Sequence, residues 1–120
     1  MEVVVYIFKG RNLVSKDSNG FSDPYCKLSL RNEKGAASKG TEKSTAIKKK
    51  TLDPDWNEEF HFSVLPKHKE LKIQCYDKDK LTSEFMGEIN IRIEKLAECE
   101  REWFPLAQKK GGKGTITGEI

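Results

Sequence analysis

The sequence is short of the residues that staple, clamp or embed a small protein: it has three cysteines, two histidines and four prolines among 120 residues. Cys26, Cys75 and Cys99 are an odd number, and Cys26 and Cys75 fall inside apolar alternations, where a thiol packs as a small hydrophobe. That excludes a disulfide framework and points to a reducing, cytoplasmic compartment. His61 and His68 stand apart, with no paired-cysteine spacing, so no zinc site is expected. No apolar run approaches the roughly 20 residues a membrane span needs. The opening MEVVVYIFKG carries an acid at Glu2 and too brief an apolar stretch for a secretory signal. Neither charge dominates, since 22 basic against 19 acidic residues leave +3. With basic residues that do not interleave with exposed aromatics, a nucleic-acid partner is excluded. Catalytic signatures are lacking too. No nucleophile has a histidine partner, and GGKGT at 111–115 fails the spacing of a phosphate-binding loop, so the chain is not expected to be an enzyme.

What remains is a foldable mixture of 36% hydrophobic and 34% charged residues, enough at this length for one core and one domain over 1–120. Apolar residues alternate with polar ones at period two between turn-like clusters, which predicts an all-β, antiparallel, Greek-key sandwich of eight strands. The strands are expected at 3–8, from Pro24 (Cys26, Leu28 and Leu30 inward; Lys27, Ser29 and Arg31 outward), at 43–50 with Ile47 inward, and around Phe60, Phe62 and Val64. The remaining four centre on Leu71, Ile73 and Cys75; on Ile89, Ile91 and Ile93; at 103–106; and at 115–120. A short helix is expected at 94–100, a mobile loop at 32–42 and a flexible turn at 109–114.

If successive strands run antiparallel, every second loop emerges at the same end. The loops 14–23, 51–57, 78–85 and 109–114 then share one rim, which gathers Asp17, Asp23, Asp53, Asp55, Asp77, Asp79 and Glu84. Two carboxylates about 4 Å apart repel by ~4 kcal/mol at an effective dielectric near 20. Calcium is the cation that fits, because it takes carboxylate and carbonyl oxygens in loose geometry, whereas magnesium wants a strict octahedron and zinc wants nitrogen or sulfur. Any one of these aspartates alone reads as turn chemistry. Asp17-x5-Asp23 beside Asp77-x-Asp79 and Glu84 does not, and DKDKLTSEF lacks the glycine and flanking helices of an EF-hand.

Three segments carry a family signature: LVSKDSNGFSDPYCKLSL at 13–30, TLDPDWNEEFHF at 51–62 and LKIQCYDKDKLTSEFMGEI at 71–89. In this order and spacing they resemble the C2 domain across essentially the whole chain. An opening strand that leads straight into the first acidic loop, and the ending GTITGEI, are similar to the type II strand order. The resemblance implies calcium ligands at Asp17, Asp23, Asp77 and Asp79, with Glu84 where an aspartate usually precedes the F-M-G turn and the segment before that turn one residue shorter than usual. It also implies main-chain oxygens from Lys16 and Lys78. Asp53 and Asn57 are read as residues that shape their loop.

From ligand set to function the step is electrostatic. A bare acidic rim repels an anionic leaflet, and a bound divalent cation reverses the local sign. The expected activity is calcium-dependent binding to anionic phospholipid such as phosphatidylserine, peripheral and cytoplasmic, with Leu81, Phe21 and Lys80 touching the membrane. Lys27, Lys48 and Lys50 form a candidate phosphoinositide patch, thinned by Ser29 and Ala46 where the family often has lysine; a solvated lysine face is the competing reading. A calcium-independent protein-interaction module is the alternative function.

Overall fold

The structure, a computed structural model, describes residues 2–14, 20–79, 82–96, 103–108, 118 and 120. Among these residues six antiparallel strands form: β1 (Glu2–Lys9), β2 (Pro24–Arg31), β3 (Lys43–Ser44), β4 (Asp55–Ser63), β5 (Glu70–Lys78) and β6 (Ser83–Arg92), followed by the short helix α1 (Ile93–Leu96). One sheet pairs β1 with β4 and the other runs β3-β2-β5-β6, so the chain crosses between layers at β1–β2, β3–β4 and β4–β5. Alternation dictates what fills the gap between them. Ile7, Trp56, Phe60 and Phe62 from one sheet pack with Leu28, Leu30, Leu71, Ile73, Cys75, Met86 and Ile89 from the other, as in a β-sandwich. Burial is the first cause of a Cys26 thiol pKa well above the usual range, and a hydrogen bond with the Cys75 thiol is the second.

The strand at 43–50, with Ile47, and the end of the sixth strand need correction. The strand expected at 43–50 stops at Ser44, and Ile47 points outward, 42% exposed. The period-two pattern continues past Ser44, but the Thr45 hydroxyl accepts the Cys26 N–H (2.8 Å) and the Trp56 indole donates to the Ala46 carbonyl (2.9 Å), which turns the chain out of the ladder. Ser29 shares the outward face with Arg31, as expected, but is only 3% exposed there because the Arg31 guanidinium donates to its hydroxyl (2.9 Å). Ile93 begins α1 rather than ending the sixth strand. Six strands are found among the described residues; of the two further strands expected, 103–106 makes backbone bridges and 115–120 lies mostly outside the described residues. Residues 97–102, 109–117 and 119, on which the end of the expected helix, the expected turn and most of the last expected strand fall, lie outside the description; Phe104 and Ile120 exchange backbone hydrogen bonds (2.8 and 3.0 Å) and Leu106 N–H donates to Gly118 O (3.0 Å). Residues 32–42 contain a defined turn: Asn32 Oδ1 accepts from the N–H groups of Lys34 (2.9 Å) and Ala36 (3.0 Å), and Gly35 has φ 82°.

Gly118 holds this closing segment against the start of the first acidic loop. Its φ is +101°, and a Cβ there would lie 2.8 Å from Asn12 O and 2.9 Å from Arg11 O, backbone atoms that cannot move aside cheaply. Gly118→Ala is therefore expected to destabilise the domain by about 2–4 kcal/mol, combining left-handed strain with overpacking. Thermal melts of the two proteins check it, and an unchanged Tm would refute the close approach.

Candidate functional site

The loops meet at one end through hydrogen bonds centred on Asp23. Its backbone N–H donates to Asp77 Oδ1 (2.8 Å), its carbonyl accepts from Lys78 N–H (3.0 Å), and its own Oδ1 accepts from Lys50 N–H (2.8 Å). One residue thus ties the end of the first loop to β5 and to the turn before the second loop. Lys50 can sit there because its φ is 51°, which aims its N–H back at the carboxylate. Neighbouring bonds extend the latch: Ser22 Oγ donates to Val14 O (3.1 Å), Thr51 N–H to Ser22 O (2.9 Å), Leu13 N–H to Leu52 O (3.1 Å) and Gly10 N–H to Pro54 O (2.8 Å). Asp53 Oδ1 accepts from Asn12 N–H (3.0 Å) while Asp53 N–H donates to Thr51 Oγ1 (3.0 Å), so Asp53 acts as a brace between the first two loops. Asn57 lies within β4 at φ 51°. Asp55 stands exposed at the β4 start, opposite Lys9.

Asp77 is the most enclosed acid of the set, 0% exposed on the inward face of β5 opposite Pro24. Asp79 is exposed two residues on, where its N–H donates to Thr82 O (2.9 Å). Glu84 is brought directly opposite Asp77 by a bulge in β6: Cys75 pairs with Gly87 but Tyr76 with Phe85, so Met86 is passed over. Gly87 takes φ 135° at this step. With an unbroken register Phe85 would face Asp77, and Glu84 would face Lys78. Directly opposed residues share a face. The shortened segment and its glutamate are thus accommodated by the bulge, and the glycine of the F-M-G turn was the available signal for it.

Asp23, Asp77, Asp79 and Glu84 are accordingly brought to one end of the β2–β5–β6 sheet, with the main chain of Lys78 between two of them. Asp17, Lys16, Lys80 and Leu81 lie outside the described residues. Phe21 is near the same end and 47% exposed. Among the described residues alone, no group of three or more His, Cys, Asp or Glu is close enough to hold a metal ion. The donor set suits a hard cation nonetheless, since every side chain in it offers carboxylate oxygen and Asp77 carries its carboxylate into the protein. The histidines are elsewhere: His68 is buried, its Nδ1 accepting Leu65 N–H (2.9 Å), and burial lowers its pKa.

The three lysines of the second surface are differently placed. Lys27 lies 5.4 Å over the Tyr76 ring and 4.0 Å from Glu42, Lys48 N–H donates to Pro24 O (3.0 Å), and Lys50 is exposed. Lys48 and Lys50 follow β3 rather than belonging to it.

Comparison with known proteins agrees with the sandwich. The C2 domain family model matches residues 1–106, and the chain belongs to the C2 domain family. Synaptotagmin-3 of Arabidopsis thaliana is 41% identical over 104 residues, which is 85% of this chain and 18% of that protein. The A-labelled C2 domain of plant Extended Synaptotagmin 1 superposes with a TM-score of 0.76 at 30% identity, covering 98% of this chain and 87% of that one. The calcium-bound pair of C2 domains of Extended-Synaptotagmin 2 also gives 0.76, at 23% identity, covering 99% of this chain and 42% of that one. The chain spans between 9% and 18% of the length of three curated relatives it matches.

Proposed function

We propose that this chain is a non-catalytic membrane-targeting module that takes up calcium in its acidic rim and, once loaded, docks on anionic phospholipid. The observation that carries this reading is Asp77: a wholly buried carboxylate that accepts a hydrogen bond from the backbone of a second acid, with a third two residues away and a fourth across the ladder. Burying the Asp77 carboxylate costs several kcal/mol after relaxation, and three further acids at the same end add like charge, an arrangement a divalent cation stabilises. Asp17, Asp23, Asp77 and Asp79 would hold the ion, with Glu84 and the carbonyls of Lys16 and Lys78 completing an oxygen shell. Calcium supplies positive charge and open coordination positions for lipid phosphate. The chain itself supplies the rest: the Asp23 hydrogen bonds fix loop spacing in advance, and exposed Phe21 offers an apolar contact to the interface, the role also assigned to Leu81, with Lys80 adding charge. The lysines at 27, 48 and 50 offer a weaker site for phosphoinositide headgroups. Among the described residues no helix is long and apolar enough to cross a membrane, in keeping with peripheral attachment.

One observation favours a second reading, a calcium-independent protein-interaction module. The outer face of β1 exposes Val4 and Tyr6, the latter 56% exposed and stacked on Phe8 (ring centroids 5.9 Å apart). Cosedimentation with phosphatidylserine vesicles separates the two. Pelleting in calcium and release in chelator is the expected result, and equal pelleting in both would favour the interaction reading. Because the apolar contact is small, raising salt from about 0.1 M to about 1 M, which shortens the Debye length from ~10 to ~3 Å, is expected to release most of the bound protein. Salt-insensitive pelleting would refute the electrostatic mechanism.

A further inference from the structure

Cys26 and Cys75 face each other directly across the β2–β5 ladder, both free and both wholly buried. Which kind of pair they form follows from where the backbone groups go. The Cys26 carbonyl accepts from Thr45 N–H (2.9 Å) and its N–H donates to Thr45 Oγ1 (2.8 Å), both on the side away from β5. Pro24 and Leu30, on the same face, also turn their carbonyls away, to Lys48 N–H (3.0 Å) and Ser38 N–H (2.9 Å). The Asp23 and Arg31 carbonyls instead accept from Lys78 (3.0 Å) and Lys69 (2.8 Å), at the two ends of β5. Alternation along an antiparallel ladder then makes Cys26 and Cys75 a non-hydrogen-bonded pair, whose Cα atoms lie about 4.5 Å apart. Disulfides span Cα separations of about 4.4–6.8 Å. The directly opposed pair therefore needs little backbone movement to close.

We propose that Cys26 and Cys75 form an oxidation site, a dithiol that closes to a cross-strand disulfide by exchange with a small disulfide such as oxidised glutathione. One cysteine loses its proton and attacks a glutathione sulfur; that S–S bond breaks and one glutathione thiolate leaves. The second cysteine, deprotonated in turn, attacks the protein sulfur of the mixed disulfide and expels the second glutathione thiolate. Two protein thiols are oxidised by two electrons, one glutathione disulfide is reduced to two glutathiones, and the two protons pass to the thiolates. Burial keeps the folded dithiol out of reach, so exchange proceeds when the ladder opens or while the chain folds. In a reducing compartment the pair stays open. Where it closes, it clips together the strands that begin beside Asp23 and end beside Asp77, and it encloses the chain from 26 to 75 in a covalent loop.

The test uses the full chain with Cys99→Ser, so that the third thiol cannot compete. The protein is refolded from denaturant in oxidised and reduced glutathione, alkylated under denaturing conditions and mapped by mass spectrometry. The expected result is a Cys26–Cys75 cross-linked peptide, an intact mass lower by two hydrogens, and a Tm raised by roughly 10 °C that reverts with dithiothreitol. Adding Cys26→Ser is expected to remove both the cross-link and the shift. Folded protein in which both cysteines are alkylated, or carry only glutathione, overturns the proposal.

Discussion

Replacing Asp77 and Asp79 together by asparagine is expected to abolish the calcium-dependent rise in Tm and calcium-dependent pelleting with phosphatidylserine vesicles, while the protein stays folded in chelator. Calcium at 100 times its Kd stabilises the native state by about 2.7 kcal/mol. In a domain of this size that corresponds to roughly 10 °C, a shift the double variant should lack entirely. Asparagine is the right probe because its Oδ1 can still accept the Asp23 N–H that Asp77 holds at 2.8 Å, so the latch between β2 and β5 survives and only charge is removed. Without metal the variant is expected to melt at or above the parent temperature, since a buried negative charge has been neutralised. If it binds calcium as tightly as the parent, the ligand assignment is wrong. If it binds calcium normally but no longer pellets, the ion is held elsewhere and the acids act on the membrane step alone.

Much of this rim was legible in sequence because turn residues and acids sit at spacings that alternation converts into positions. Asp23 and Asp77 flank paired strands, so counting residues back from Cys26 and forward from Cys75 puts both at one end. The hydrogen bonds among them were not legible, because they depend on a left-handed residue, Lys50, that no propensity singles out. The facing of Glu84 was not legible for a different reason. A strand that skips a residue reverses the parity of everything beyond the skip, and only the pairing of Tyr76 with Phe85 reveals where this occurs. The outward turn of Ile47 was not legible because alternation records which residues could face inward, whereas the Thr45 hydroxyl within the segment and the Trp56 indole beyond it end the strand.

That indole leads to the second large effect. Trp56→Ala is expected to cost about 3–5 kcal/mol, as for other buried tryptophans, a large part of the ~5–15 kcal/mol that holds a domain of this size together. Three losses combine. A side chain 4% exposed leaves a cavity in the core, the bond from Nε1 to Ala46 O (2.9 Å) disappears, and the segment after β3 loses its indole anchor to β4. Glu58 Oε2, which accepts the Ala46 N–H (2.8 Å), is then the remaining side-chain tie on that segment from β4. Trp56→Phe keeps most of the volume and removes the donor, so a smaller loss, about 1–2 kcal/mol, is expected. Urea unfolding of the three proteins measures both steps. Asp53, Trp56 and Glu58 of the TLDPDWNEE segment would then all be structural, bracing the loops and turning the chain, while the charged chemistry stays with Asp23, Asp77 and Asp79. A Trp56→Ala protein as stable as the parent would mean that the segment's position beside the rim, and not its packing, is what the motif serves.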